Sequence, residues 1–220
     1  MTILVLIAKE PIPGKVKTRL HPALSYEQAA EIAAASIADT LATGAEVPAS
    51  RRVLLYQGDR LPPGASGWEI LPQVDGGLDE RLAAMYDSFD EPVVMIGMDT
   101  PQVTVMDLAP AFDSWADPDS AGQHPDAWFG PACDGGFWAL GLRVPRGDLV
   151  RGIPMSRHDT GKLQLERLTQ AGLRVGMLPP LTDIDLIEDA RLVAHLAPHS
   201  RFAATLARVD SPSTLELVAS

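Results

Sequence analysis

Strand-like and helix-like stretches alternate along this chain, and that alternation limits the fold more than any other feature. Residues 2–8 form an apolar run of strand length. Ser25-Tyr26-Glu27-Gln28 matches a capping box, so an Ala-rich helix is expected to start there, run to Leu41 and stop near Gly44. A strand follows at 52–56. Leu78, Leu82, Met85, Tyr86 and Phe89 then recur at helical spacing. Residues 92–97 are apolar on both faces, as buried parallel strands are. Thr104 and Asp107 suit the start of a short helix ending near Trp115. Residues 127–142 have strand character broken by Gly130-Pro131 and Gly135-Gly136. A helix at 160–171 closed by Gly172, a strand at 173–178 and helices at 186–196 and 199–207 complete the reading. Alternating β and α predicts a mostly parallel, mixed sheet with helices on both faces, a Rossmann-like three-layer α/β/α fold.

Length bounds the organisation. At 220 residues one domain is expected, spanning 1–208, with a weakly patterned tail at 209–220. The apolar runs are too short to span a bilayer, and no basic leader precedes the first strand, so a cytoplasmic protein is expected. One cysteine, Cys133, excludes an internal disulfide framework and a Cys-rich zinc site. A formal charge of -11 argues against nucleic-acid partners, which call for a basic face.

Against that acidic balance, the loop after the first strand carries Lys9, Lys15 and Lys17; the only other lysine is Lys162. Clustered cations repel, so a polyanion at the carboxyl end of the strand is the natural reason for them, a solvated basic loop being the alternative. The segment is not a P-loop. Gly14 stands alone, and Pro11 and Pro13 remove donors a phosphate nest would use. Anion binding here depends on side chains, Lys as point charges and Arg19 as a planar fork.

Asp99 follows the strand at 93–97 and hangs at the same edge as Lys9, with Gly97 leaving room for a ligand. A carboxylate beside phosphates needs a divalent cation between them, so Mg2+ or Mn2+ is expected; Asp99 could instead cap the turn at Thr100-Pro101. Asp134-Gly135-Gly136 could bring a sugar close, with Asp134 accepting hydroxyl hydrogen bonds, or could turn a hairpin. Phe137 and Trp138 are either a sugar platform or core. His158 could complete a metal site or stand on the surface beside a helix cap, and Arg157 could neutralise charge. Asp183 and Asp185 can share one side of an extended segment, for a metal or to anchor the last helices.

In order, these pieces resemble a bacterial family classed only provisionally as glycosyltransferases, with the glycosyltransferase-A, or nucleotide-diphospho-sugar transferase, fold. Its pattern Lys-x-Pro-x-Pro-Gly-x-Val-Lys-Thr-Arg-Leu falls on residues 9–20 at every fixed position. Gln73 and Leu78-Asp79-Glu80-Arg81-Leu82 match a Gln and a Leu-Gly-Glu-Arg-Met step, with Asp79 where that pattern has Gly. Gly97, Asp99 and Pro101 match Gly-x-Asp-x-Pro; residues 130–137 match Gly-Pro-Ala-x-Asp-Gly-Gly-Phe; and Asp183-Ile184-Asp185 opens a closing acidic step.

The resemblance implies an enzyme that binds a nucleotide diphosphate sugar, such as UDP-glucose, and transfers the sugar to an acceptor. Ala8, Lys9, Gly14, Lys17, Arg19, Gln73 and Gly97 would hold the nucleotide, and Asp134, Gly135 and Gly136 the sugar. Asp99 and His158 would hold Mg2+ or Mn2+, and Asp99 and Asp134 would be catalytic. Two other readings stand beside it. One is a nucleotidyltransferase resembling 2-phospho-lactate guanylyltransferases, which releases pyrophosphate. The other is a non-catalytic nucleotide-sugar binding module.

Overall fold

The computed structural model describes residues 2–116, 122 and 124–210. Its strands are β1 (Ile3–Lys9), β2 (Arg51–Gln57), β3 (Glu69–Pro72), β4 (Val93–Gly97), β5 (Ala127–Pro131), β6 (Phe137–Leu142) and β7 (Val175–Met177). They form one sheet in the order β3-β2-β1-β4-β6-β5-β7. Every pairing is parallel except the two made by β6, which runs antiparallel to both β4 and β5. The helices are α1 (Tyr26–Glu46), α2 (Leu78–Tyr86), α3 (Val105–Ser114), α4 (Thr160–Gln170), α5 (Ile187–Leu196) and α6 (Arg201–Val209).

Alternation along β1 builds the layers. Leu4, Leu6 and Ala8 face Ala33, Ile37 and Leu41 of α1 and Leu108 and Ala111 of α3. Ile3 and Val5 face the other way, toward Leu82 and Met85 of α2 and Leu168 of α4. This is the expected three-layer α/β/α arrangement around a mostly parallel, mixed sheet. A third cluster lies outside it, where Ala29, Ile32 and Ala35 of α1 meet Val193 of α5 and Phe202 and Leu206 of α6. Phe202 is fully buried there, which stabilises the fold by about 1.5–3 kcal/mol.

Local signals place most boundaries. Ser25 Oγ accepts from the Gln28 N–H at 3.2 Å while Gln28 Oε1 accepts from the Ser25 N–H at 2.8 Å, closing the capping box that starts α1. Thr104 and Asp107 do the same for α3. Two expectations are corrected. Gly44 does not stop α1, which continues to Glu46; a Cβ at 44 would stand 2.7 Å from the Trp68 indole, so the glycine makes room for that ring. β3 was not foreseen, because it is a short, exposed edge strand closed by a proline, with little of the apolar patterning that marks the others. At the far end, Val209 still belongs to α6 and is buried, while residues 211–220 of the expected tail lie outside the described residues.

The outcome for function is positional. β1, β2, β3 and β4 all end on one edge, where the β1–α1 loop, the turn after β4, the β5–β6 connection and the 183–185 segment also arrive. Among the described residues, no helix is long and apolar enough to cross a membrane.

Candidate active site at the carboxyl edge

A cavity of about 670 Å³ opens on this edge and draws on every one of those segments. Of the residues proposed from the sequence, Ala8, Lys9, Arg19, Gln73, Gly97, Asp99, Asp134, Gly136 and His158 border it. A Cβ at Gly97 would meet nothing nearer than the Trp138 carbonyl oxygen at 3.8 Å, so packing does not require glycine and the space belongs to the cavity.

Other residues are placed differently. Gly14 lies off the cavity; its φ of 75° serves the turn closed by the Lys15 N–H on the Ile12 carbonyl. Lys17 borders a smaller adjoining cleft of about 200 Å³ with Asp99 and Asp185. Its side chain is only 6% exposed, and its Nζ sits 2.8 Å from Asp99 Oδ1 and 3.9 Å from Asp185 Oδ1 while donating to the Ile184 carbonyl. Arg19 pairs with Asp185 at 2.7 Å. The first loop is thus fastened to the 183–185 segment through charge. Lys9 is exposed on the cavity and has no ion pair among the described residues.

Gly135 and Gly136 make room for protein. At Gly135, φ is 92° and a Cβ would stand 1.9 Å from the His158 carbonyl oxygen; a Cβ at Gly161 would stand 2.5 Å from that of Gly136. The Gly161 N–H donates to the Gly135 carbonyl at 2.8 Å. The β5–β6 hairpin loop therefore docks directly on the start of α4. Gly136 borders the cavity and, together with Gly135, a neighbouring cleft of about 580 Å³ alongside α4. Asp134 Oδ1 accepts from the Gly136 N–H at 2.7 Å, the turn that the hairpin reading anticipated, and Asp134 still reaches the cavity. Trp138 is core, its Nε1–H donating to the Pro179 carbonyl, while half-buried Phe137 borders the cavity. Arg157 is held by Asp159 at 2.9 Å.

Charge is concentrated around Asp99. Asp183 is pushed up to about 7, first by burial and then by Asp134 and Asp99, with Lys17 opposing and Asp185 adding to the rise. Asp183 Oδ1 is buried without a hydrogen-bond partner. Asp99 Oδ1 also lacks one, so its 2.8 Å approach to Lys17 is a charge contact and not an aligned hydrogen bond. A buried Asp183 oxygen without a hydrogen bond, beside an Asp99 oxygen that only the Lys17 ammonium faces, fits a divalent cation. Among the described residues no three His, Cys, Asp or Glu side chains are gathered as a ready-made cage, so phosphate oxygens would have to complete the coordination. Among the described residues, two that are not glycine have positive φ, Lys17 at 47° and Ser156 at 60°, and both lie at this edge.

Sequence reasoning gave no role to Arg81 and Gln57, which border the cavity beside Gln73. The signal that could have found Arg81 is its place one turn inside α2, near the helix end that disfavours cations. Asp79 turns away and accepts from the Gly152 N–H at 2.9 Å.

A family profile described as "Uncharacterized protein conserved in bacteria (DUF2064)" matches residues 31–157, more than half of the chain. The chain belongs to this family. Among solved structures, the DUF2064 chain is similar to a protein from Desulfovibrio desulfuricans G20, assigned provisionally as a nucleotide-diphospho-sugar transferase. The two are 27% identical over 95% of each chain, with a TM-score of 0.81. A cytidylyltransferase from Leptospira borgpetersenii is 12% identical over 96% of this chain and 98% of its own, with a TM-score of 0.56. A manganese complex of Rv0371C from Mycobacterium tuberculosis is 20% identical over 88% and 97%, with a TM-score of 0.51. These last two share the fold with the DUF2064 chain. No curated protein is significantly similar to it.

Proposed function

We propose that this DUF2064 protein is a nucleotide-dependent glycosyltransferase that takes a nucleotide diphosphate sugar, a UDP-sugar such as UDP-glucose, and passes the sugar to a small-molecule acceptor. One observation carries the reading. The cationic first loop and Asp99 meet on the same cavity, with Asp134, Asp183 and Asp185 beside them. The likeness to the Desulfovibrio desulfuricans protein supports the same reading.

Asp99 and Asp183 would hold Mg2+ or Mn2+, which when bound would offset the charge of a diphosphate. Lys9 and Arg19, which border the cavity, would stabilise the charge that builds on the departing phosphate. Asp134 commits one oxygen to Gly136, and its other oxygen can orient a sugar hydroxyl or accept a proton from the acceptor. Calorimetry with UDP-glucose, GDP-sugars, UTP and GTP, with and without Mn2+, tests binding. Released UDP or GDP marks glycosyl transfer.

The buried oxygens of Asp99 and Asp183, neither with a hydrogen bond, favour one alternative, transfer of a nucleotidyl group from an NTP to a phosphorylated acid. Release of pyrophosphate in the same assay would select it.

A further inference from the structure

Arg81 and Lys17 are both held still at this edge, in opposite ways. Arg81 Nη1 donates to Gln57 Oε1 at 2.9 Å and to Gln73 Oε1 at 3.1 Å, and its Nε donates to the Gly76 carbonyl at 3.0 Å. Gln73 is itself fixed, its Nε2 donating to the Ala8 and Leu55 carbonyls at 2.9 and 3.2 Å. All of these acceptors are neutral, so the Arg81 charge is not offset by them. Its Nη2 and Gln57 Nε2 have no partner among the described residues.

Lys17 faces carboxylates instead. Its side chain is 6% exposed, and its ammonium donates to the Ile184 carbonyl while standing 2.8 Å from Asp99 Oδ1 and 3.9 Å from Asp185 Oδ1. The left-handed backbone at this residue, φ 47°, is a conformation that a lysine keeps only where its surroundings hold it. The same two segments are also tied by the Ile184 N–H, which donates to the Asp99 carbonyl at 3.0 Å, and by Arg19 on Asp185 at 2.7 Å. The ammonium can therefore turn away without releasing the loop.

We infer that Lys17 is a resident counter-ion that competes with the divalent cation for Asp99, so that metal is accepted together with the nucleotide and not before it. The inference rests on the nucleotide and metal reading above and adds the order of loading. An ammonium and a divalent ion on one carboxylate oxygen repel strongly in a half-buried site. While Lys17 neutralises Asp99, the neighbouring carboxylates have little left to offer a cation, and among the described residues no ready-made cage makes up for it. A nucleoside diphosphate changes that balance. Its oxygens supply further metal ligands and a second anion for Lys17, which borders the adjoining cleft with Lys9 and Arg19. Nucleotide and metal then raise each other's affinity by one common factor.

Mn2+ titrations followed by the EPR signal of the free ion, with and without saturating UDP or GDP, test this. The complex that Mn2+ forms with the nucleotide in solution is titrated separately and subtracted. In the unmodified protein the nucleotide should tighten Mn2+ binding by about tenfold or more. Lys17→Met, checked for a retained melting transition, should bind Mn2+ alone about tenfold tighter than the parent, yet change by less than about threefold once nucleotide is present. Lys17→Gln carries the same expectation should the Met variant not fold. Lys9→Met removes a cation that borders the same cleft but pairs with no carboxylate, and should alter Mn2+ affinity by less than about threefold. Unchanged Mn2+ affinity in the Lys17 variants overturns the inference. So does a gain that is equal with and without nucleotide, or matched by Lys9→Met, because the ammonium would then act only as diffuse charge. Equal Mn2+ affinity with and without nucleotide in the unmodified protein overturns it as well. Absence of Mn2+ binding under every condition overturns the metal reading itself, and this inference with it.

Discussion

The two ends of the cavity are finished to different degrees. Around Gln73, every hydrogen-bonding group that faces protein has found a partner, and the spare donors are held still by neutral contacts. Around Asp99, four carboxylates crowd together, two of their oxygens lie buried without hydrogen bonds, and a lysine with φ of 47° supplies the nearest cation. One end is preorganised as it stands. The other crowds like charges, with two buried oxygens left without hydrogen bonds, an arrangement that a bound cation would relieve.

Perturbing the acidic end should separate it from the neutral one. The largest effect is expected from Asp99→Asn. It should abolish the Mn2+ dependence of nucleotide binding, read as identical calorimetric affinities with and without the metal; a variant that still responds to Mn2+ clears Asp99 of that role. Lys17→Ala comes next. It strips Asp99 and the Ile184 carbonyl of a nearly buried partner, so unfolding stability at pH 7 should fall by about 1–3 kcal/mol in denaturant titrations. An unchanged midpoint would mean that the ammonium fastens nothing.

Asp183→Asn should act in the opposite sense and more weakly. The Asp183 carboxyl has an ordinary value of 3.8 and is pushed up to about 7 in the fold. Between those values the unfolded chain has lost the proton that the folded chain keeps, so stability falls as pH rises through this window. Above about 7 the full cost of the buried charge is present. The Asn variant should therefore match the parent near pH 4 and exceed it at pH 8 by on the order of 1–2 kcal/mol. This is part of the roughly 4 kcal/mol that a rise from 3.8 to about 7 carries, because solvent screens the neighbouring carboxylates. Equal stability at both pH values would show that Asp183 is better solvated than its burial implies.

Much of the scaffold could be read directly from the chain, because its signals are local. Two capping boxes, the doubly apolar strand at 92–97 and the proline-stiffened cationic loop all depend on neighbours within a few positions. Asp99 was legible for the same reason, as a carboxylate just past a strand end. At the other end Gln73 was legible only through the family pattern, and Gln57 and Arg81 were not. Gln73 is oriented by carbonyls of Ala8 and Leu55, which are 65 and 18 positions away, and no spacing rule marks such contacts. Gly135 and Gly136 were recognised as places of close approach, but the approaching group proved to be the start of α4, which only the folded chain brings there.

Lys17 and the Ile184 carbonyl are 167 positions apart, so the basic loop made first is moored to a stretch near the end of the chain. A protein shortened before residue 183 would still carry its lysines and Asp99, yet the loop would lose its anchorage and Arg19 its mate. Assembly of the charged half of the site is thus a late event in chain order, and internal strands and helices alone would leave it unbuilt.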